Sequence, residues 1–336
     1  ICKKAGKQEY YLGLPVDFEQ SKDNYKITVI IPVYNNSKYL KECLKSALSQ
    51  DIREIEIICI DDGSSDDSYK ILTEVQELDR RVVVRRQKNR GAGIARNNAL
   101  SIARGEFVAF LDADDFYPSN DVLSSLYRKA VRNNVHICGG SFSHIKNGQK
   151  YTNYAGRYRT YTFKNEGLIQ YNEYQFDYGY TRFLYRREFI ESNKLIFPSY
   201  LRFQDPPFFV KAMILSKEFY SVPMVTYCYR KDKNRVAWTD EKINDVVRGC
   251  TDNLKMSRDS SLCLLHRDTV EHLSVEFFNV ILKGIHRENI KLIDLIISAN
   301  EFVSPELLIR SGYQLDTKKN YLLKPLKYIC RSTIDM

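Results

Sequence analysis

The sequence predicts an α/β fold, with a mostly parallel central sheet flanked by helices and a helical region after it. Two observations predict this. Through roughly the first 140 residues, short apolar runs alternate with stretches whose apolar residues recur at helical spacing. From Asp240 onward the pattern is helical. Strict alternation of strand and helix implies right-handed crossovers and parallel strands, with ligands outside the carboxyl ends of those strands.

The elements follow in order. Residues 26–33 (KITVIIPV) are nearly continuous in apolar residues, as a strand covered on both faces requires. Ser37 is the expected cap of a helix with the stripe Leu40, Cys43, Leu44, Ala47 and Leu48. Residues 55–60 form a second strand, closed by Asp61-Asp62-Gly63, and a helix follows with Ile71, Leu72, Val75 and Leu78 inward. Residues 82–84 read as a third strand, and 92–104 as a helix stopped by Gly105 at its C′ position. A fourth strand spans 107–111, a helix 122–133, and a fifth strand 135–138 ends at Gly139-Gly140. Residues 141–185, rich in Tyr, read as twisted strands and loops. Short helices are expected at 186–193 and 207–216, with a strand at 218–229.

Composition bounds the function. The chain has 336 residues, 43% of them hydrophobic and 28% charged, enough for a large globular domain and a smaller one or an extension. A net charge of +9 suits an anionic membrane surface or an anionic small substrate. Nucleic acid is disfavoured, because the basic residues are dispersed and no recognised binding motif appears. No apolar stretch approaches the roughly 20 residues of a membrane span. The start, ICKKAGKQ, lacks an apolar segment and an initiator Met, so a true N-terminus upstream is expected. The eight cysteines are scattered without CxxC spacing, and reduced thiols in a cytoplasmic protein are expected. The five histidines suggest no zinc site.

Residues 107–117, FVAFLDADDFY, carry the most chemistry. A buried strand stops at Asp112, Asp114 and Asp115, and crowded carboxylates repel unless something positive sits among them. A hard cation, Mn²⁺ or Mg²⁺, takes oxygen ligands and keeps positions open for phosphate. Three strand ends are marked in this way: Pro32-Val33-Tyr34-Asn35, Asp61-Asp62-Gly63-Ser64 and Asp112-Ala113-Asp114-Asp115. A parallel sheet brings such ends to one rim. The Gly91-x-Gly93-x-x-Arg96 stretch lacks the third glycine of a dinucleotide fingerprint, yet suits close approach to ribose or phosphate.

The ordered set VIIPVYNNSKYLKECLKSALSQ, IICIDDGSSDDS, NRGAGIARNNAL and GEFVAFLDADD resembles the family 2 inverting glycosyltransferases of the GT-A fold, over residues 26–230. The resemblance implies a Rossmann-like GT-A domain over 26–235, its nucleotide-sugar half at 26–140 and acceptor half at 141–235. It would sit between an extension at 1–25 and a helical region at 236–336. Asp112 and Asp114 would form the DxD motif, Asp114 on the metal and Asp112 toward the ribose and the metal, with Ala113 between. By the same resemblance Asp62 would accept the uracil N3–H, Tyr34 would stack on the ring and Pro32 would shape the pocket. Asn89, Arg96 and Arg230, with Arg235, would lie near the diphosphate. In FPSYLRFQDPPFF, Asp205 matches the general base, with Gln204 replacing the usual Glu. Read without the resemblance, Asp205 is a helix cap before Pro206 and Pro207.

The implied activity is metal-dependent transfer of a sugar from a nucleotide-sugar, a UDP-sugar above all, to a saccharide or lipid-linked acceptor in surface polysaccharide or capsule synthesis. The implied place is the cytoplasm, peripheral on the inner face of the membrane, where the tail LKPLKYICRS would rest on anionic lipid. Oligomeric state is left open. Two other readings stand beside this one. A nucleotidyltransferase would need a Gly- and Lys/Arg-bearing loop where PVYNNSKY lies. A non-catalytic nucleotide-sugar-binding relative is suggested by Gln204.

Overall fold

The computed structural model describes residues 24–231, 237–314 and 323–326. The described residues divide into two compact units: the first holds 24–170, 179–196 and 216–231, the second 171–178, 197–215, 237–314 and 323–326.

The first unit is built on β1 (Ile27–Val33), α1 (Ser37–Leu48), β2 (Ile55–Asp61), α2 (Ser68–Leu78), β3 (Val82–Arg86), α3 (Ala92–Leu100), β4 (Phe107–Phe110) and α4 (Val122–Arg132). Then come β5 (Ile137–Lys146), β6 (Gln149–Tyr151), β7 (Gly167–Gln170), β8 (Phe183–Arg186), α5 (Arg187–Ser192) and, after an excursion into the second unit, β9 (Glu218–Arg230). The sheet runs β3-β2-β1-β4-β8-β5-β9-β7, with β6 on β5. The β3, β2, β1 and β4 strands are mutually parallel, as their alternation with helices demands. The strand β8 enters antiparallel between β4 and β5, while β5 and β9 run parallel. The fifth strand therefore does not join the fourth directly.

The core beneath the parallel half holds Ile27, Val29, Ile31, Leu40, Leu44, Ile57, Leu72 and Phe107. All five stripe residues of α1 are buried, as are Ile71, Leu72 and Val75 of α2. Leu78 is not inward; it is 53% exposed at the last position of its helix. Ser37 does not cap α1. The cap position is Asn36, and the Ser37 N–H is taken by Asp66 at 2.9 Å. The other Asp66 oxygen accepts the Ser68 N–H at 2.9 Å, so a single carboxylate serves the starts of α1 and α2.

Three glycines correct the sequence reading. The helix α3 ends at Leu100, five residues before Gly105, which is no left-handed cap. A Cβ on Gly105 would lie 2.4 Å from the Thr28 backbone nitrogen, so close approach to β1 is what requires glycine. Gly139 and Gly140 lie inside β5 rather than ending it. Cβ atoms there would reach 2.0 Å from the Phe183 ring and 2.3 Å from the Thr226 methyl. The ladder shifts register beside them, a bulge that glycine permits.

The second unit is helical: α6 (Asp205–Ser216, through Leu215), α7 (Asp240–Asp259), α8 (Cys263–Glu271), α9 (Phe278–His286), α10 (Ile290–Asn300) and α11 (Pro305–Arg310). Its core includes Phe203, Val246, Val247, Leu254, Leu273, Ile281, Leu292 and Ile296. No helix among the described residues is long and apolar enough to cross a membrane. Residues 1–23, Arg235 and most of the LKPLKYICRS tail lie outside the described residues.

Candidate active site

The ends of β1, β2 and β4 meet on one rim because these strands are adjacent and parallel. The Asp62 N–H donates to the Val33 carbonyl at 2.8 Å, and the Asn35 N–H to Ser64 Oγ at 3.0 Å. Pro32 is buried in β1 beyond its last pairing with β4, at Ile30 and Phe110, where a missing donor costs no rung on that side. Tyr34, 48% exposed, stands at the end of β1 on this rim.

Asp61 and Asp62 differ sharply. Asp61 is buried and faces Arg86 Nε at 3.0 Å, with its other oxygen near the Ser64 N–H. Asp62, also buried, gathers the 87–91 loop. It accepts Gln87 Nε2 at 2.7 Å, the Arg90 N–H at 2.8 Å and the Gly91 N–H at 2.8 Å. Gly91 takes φ 90° and Gly63 φ 78°, and a Cβ on Gly63 would press the Asn89 nitrogen at 3.0 Å. These glycines let the two loops close on each other. Asn89 itself is exposed on that loop.

The three acids after β4 do not share one environment. Asp112, part-exposed, pairs with Arg96 Nη2 at 2.7 Å and receives the Tyr180 hydroxyl at 3.4 Å. Arg96 is not on the surface; it is 4% exposed and lies over the Tyr180 ring. Its guanidinium supplies positive charge that the sequence reading gave entirely to a metal. Asp115 turns inward, accepting the Tyr227 hydroxyl at 2.8 Å and the Arg230 N–H at 2.8 Å. That corrects the expectation of three carboxylates around one cation. The Tyr227 hydroxyl also accepts the Asp112 N–H at 3.2 Å, joining the two ends of the acidic turn. Burial, then the charges of Asp115 and Asp112, pushes this hydroxyl well above its usual range, so it stays a donor.

Asp114 is half-buried, and Ala113 beside it is buried. Arg230 Nε donates to the Asp114 carbonyl at 3.1 Å, and Arg230 Nη2 reaches Glu42 at 2.5 Å. Its guanidinium lies over the Tyr39 and Phe116 rings. Arg230 is thus engaged beside the acidic turn. Phe116 and Cys228 exchange backbone hydrogen bonds of 3.3 and 3.0 Å, fixing the turn to β9.

Among the described residues no three Asp, Glu, His or Cys side chains converge into a metal cage. Asp112 and Asp114 offer one or two carboxylates, the donor set Mg²⁺ uses when phosphate oxygens complete its shell. The residues present fit such an ion. Asp205 belongs to the second unit, where it is the first residue of α6 and half-buried. Phe203, just before it, has φ 63° and anchors its ring against Phe277 and His272. Trp238, in the same unit, packs on Phe277 with Arg202 above it.

Residues 28–193 match the model of Glycosyl transferase family 2. They are a family 2 glycosyltransferase domain. EpsJ of Bacillus subtilis, an uncharacterised glycosyltransferase, is 33% identical over 215 residues. That match spans 62% of this chain and 62% of EpsJ, so the chain covers less than two thirds of that relative. Among solved structures, S. aureus TarS 1–349 in complex with UDP-GlcNAc aligns with a TM-score of 0.68 at 21% identity, over 84% of this chain and 82% of TarS 1–349. The mannosyltransferase PcManGT of Pyrobaculum calidifontis, in complex with GDP-Man and Mn²⁺, aligns at 0.56 and 16% identity, over 96% and 92%. These likenesses give the family 2 domain its GT-A fold. Sequence reasoning missed Tyr227, Tyr180 and Gln87. Tyr227 stands in the basic run YCYRKDK, whereas Gln87 and Tyr180 carry no local signal.

Proposed function

We propose that this chain is an inverting glycosyltransferase that moves one sugar from a UDP-sugar to a saccharide or lipid-linked saccharide acceptor of a surface polysaccharide. The observation that carries the reading is the rim itself: an exposed Tyr34, a loop-bound Asp62, and the Asp112–Asp114 turn with Arg96, on three adjacent strand ends. The TarS likeness, with UDP-GlcNAc bound in that protein, supports a nucleotide-sugar donor.

In this reading Tyr34 stacks on the base and Asp62 accepts an N–H from its edge. Pro32 and Asn89 bound the pocket, while Arg96 and Arg230 carry positive charge beside the diphosphate. Asp114 and Asp112 would hold a Mn²⁺ or Mg²⁺ ion, which neutralises charge developing on the leaving diphosphate. Asp205 takes the proton of the acceptor hydroxyl as its oxygen bonds the anomeric carbon. The bond from that carbon to the diphosphate oxygen breaks on the opposite face, and its electron pair leaves with UDP. One displacement inverts the centre. The role of Asp205 rests on the resemblance of its segment, which opens α6. The division into a donor half at 26–140, an acceptor half at 141–235 and a helical region at 236–336 belongs to the same proposal. The +9 charge favours work against an anionic membrane face.

The test is UDP release with Mn²⁺ across a panel of nucleotide-sugars, with nucleotide binding followed by calorimetry. Asp205→Asn should bind donor normally and lose transfer, while Asp114→Ala should lose the manganese-dependent part of donor binding. Full transfer by Asp205→Asn, or unchanged manganese dependence in Asp114→Ala, refutes the corresponding role.

A further inference from the structure

Asp62 is more tightly specified than a base contact needs to be. An ionised carboxylate offers about four acceptor positions, two on each oxygen. Oδ1 accepts Gln87 Nε2 at 2.7 Å and the Arg90 N–H at 2.8 Å; Oδ2 accepts the Gly91 N–H at 2.8 Å. Among the described residues this fills Oδ1 and leaves a single position, on Oδ2. The Gln87 amide is fixed in its orientation. Its oxygen accepts Asn98 Nδ2 at 2.6 Å, and the acceptor-only carboxylate opposite requires the amide nitrogen there. Asn98 comes from α3 and Gln87 from the end of β3, so two elements brace one side chain.

We infer that Gln87, held by Asn98, is a specificity-determining positioning residue: by filling Oδ1 it leaves Asp62 able to take one N–H donor and no more. The inference rests on the reading of Asp62 as the base contact. It assigns a chemical class of base. The imide edge of uracil or thymine presents one N–H between two carbonyls and fits the remaining position. Guanine presents two adjacent N–H donors and needs a position on each oxygen, which Gln87 and Arg90 deny. Cytosine turns a ring-nitrogen acceptor toward the carboxylate and is repelled.

Removing the Gln87 donor reopens Oδ1 and frees the carboxylate to rotate. The experiment is calorimetric titration of the full chain with UDP, GDP and CDP in manganese buffer, for the wild type, Gln87→Met and Asn98→Ala. The melting temperature without ligand monitors folding of each variant. The wild type should favour UDP over GDP. Gln87→Met should shrink that preference about tenfold, the scale of one hydrogen bond to a charged group. Asn98→Ala, at an exposed position, should move it in the same direction by less, and it carries the test if Gln87→Met does not fold. A UDP-to-GDP ratio unchanged in a folded variant overturns the role of Gln87 alone. A wild type that binds no UDP, or binds GDP equally well, overturns the base-contact reading beneath it.

Discussion

Tyr227→Phe isolates the bridge that shapes the acidic turn. The substitution keeps the ring, 1% exposed and stacked on Phe142, and deletes only the hydroxyl. Two bonds go with it: the 2.8 Å donation to Asp115, itself 1% exposed, and the 3.2 Å acceptance from the Asp112 N–H. A hydrogen bond to a buried carboxylate is worth about 2 kcal/mol, and the longer backbone contact adds less than about 1. Stability should fall by about 2–3 kcal/mol, read as a lower urea midpoint at unchanged slope. The turn carrying Asp114 loses its tie to β9 on one side, so manganese in the presence of UDP should bind several-fold more weakly. A loss under about 0.5 kcal/mol with unchanged manganese affinity would refute the bridge as a positioning device.

Two further substitutions probe the scaffold. Asp66→Ala removes the acceptor for the Ser37 and Ser68 N–H groups and should cost about 1–2 kcal/mol, as loss of helix caps does. Burial opposes ionisation of Asp66, yet hydrogen bonds from Ser68 and Ser37 outweigh it and hold the carboxyl at about 2. Its folded value is depressed, so this contribution is complete above the ordinary carboxylate range near 4 and fades as pH falls toward 2. The gap in stability between wild type and Asp66→Ala should close over that window, and a gap constant from pH 5 to 2 would exclude the cap. Gly105→Ala sets a side chain 2.4 Å from the Thr28 nitrogen, where only backbone can yield, and should cost about 3 kcal/mol. Gly148→Ala meets no atom within 4 Å and pays only for its positive φ, about 1 kcal/mol, so equal thermal shifts for the two would refute the packing argument.

Much of this protein was legible in the chain. Nearly continuous apolar runs at 27–33, 55–60 and 107–110, broken only by Thr28 and Glu56, announce strands buried on both faces, as a covered parallel sheet needs. The spacing of Leu40, Cys43, Leu44, Ala47 and Leu48 fixes a helix and its inward face together. The marked strand ends followed from the same logic, because parallel strands put their carboxyl ends on one side.

The sequence by itself determined the parallel half of the sheet, the rim and the residue types gathered there, for periodicity and turn chemistry are local properties. Only the tertiary structure decided what each acid does. Arg96 lies 16 positions from Asp112, Gln87 lies 25 from Asp62, and Tyr227 lies 112 from Asp115. Likewise, Gly139 and Gly140 read as a strand end until Phe183 and Thr226 are seen against them. A carboxylate's role depends on which donors reach its oxygens, and those donors arrive from elements whose pairing no local pattern encodes.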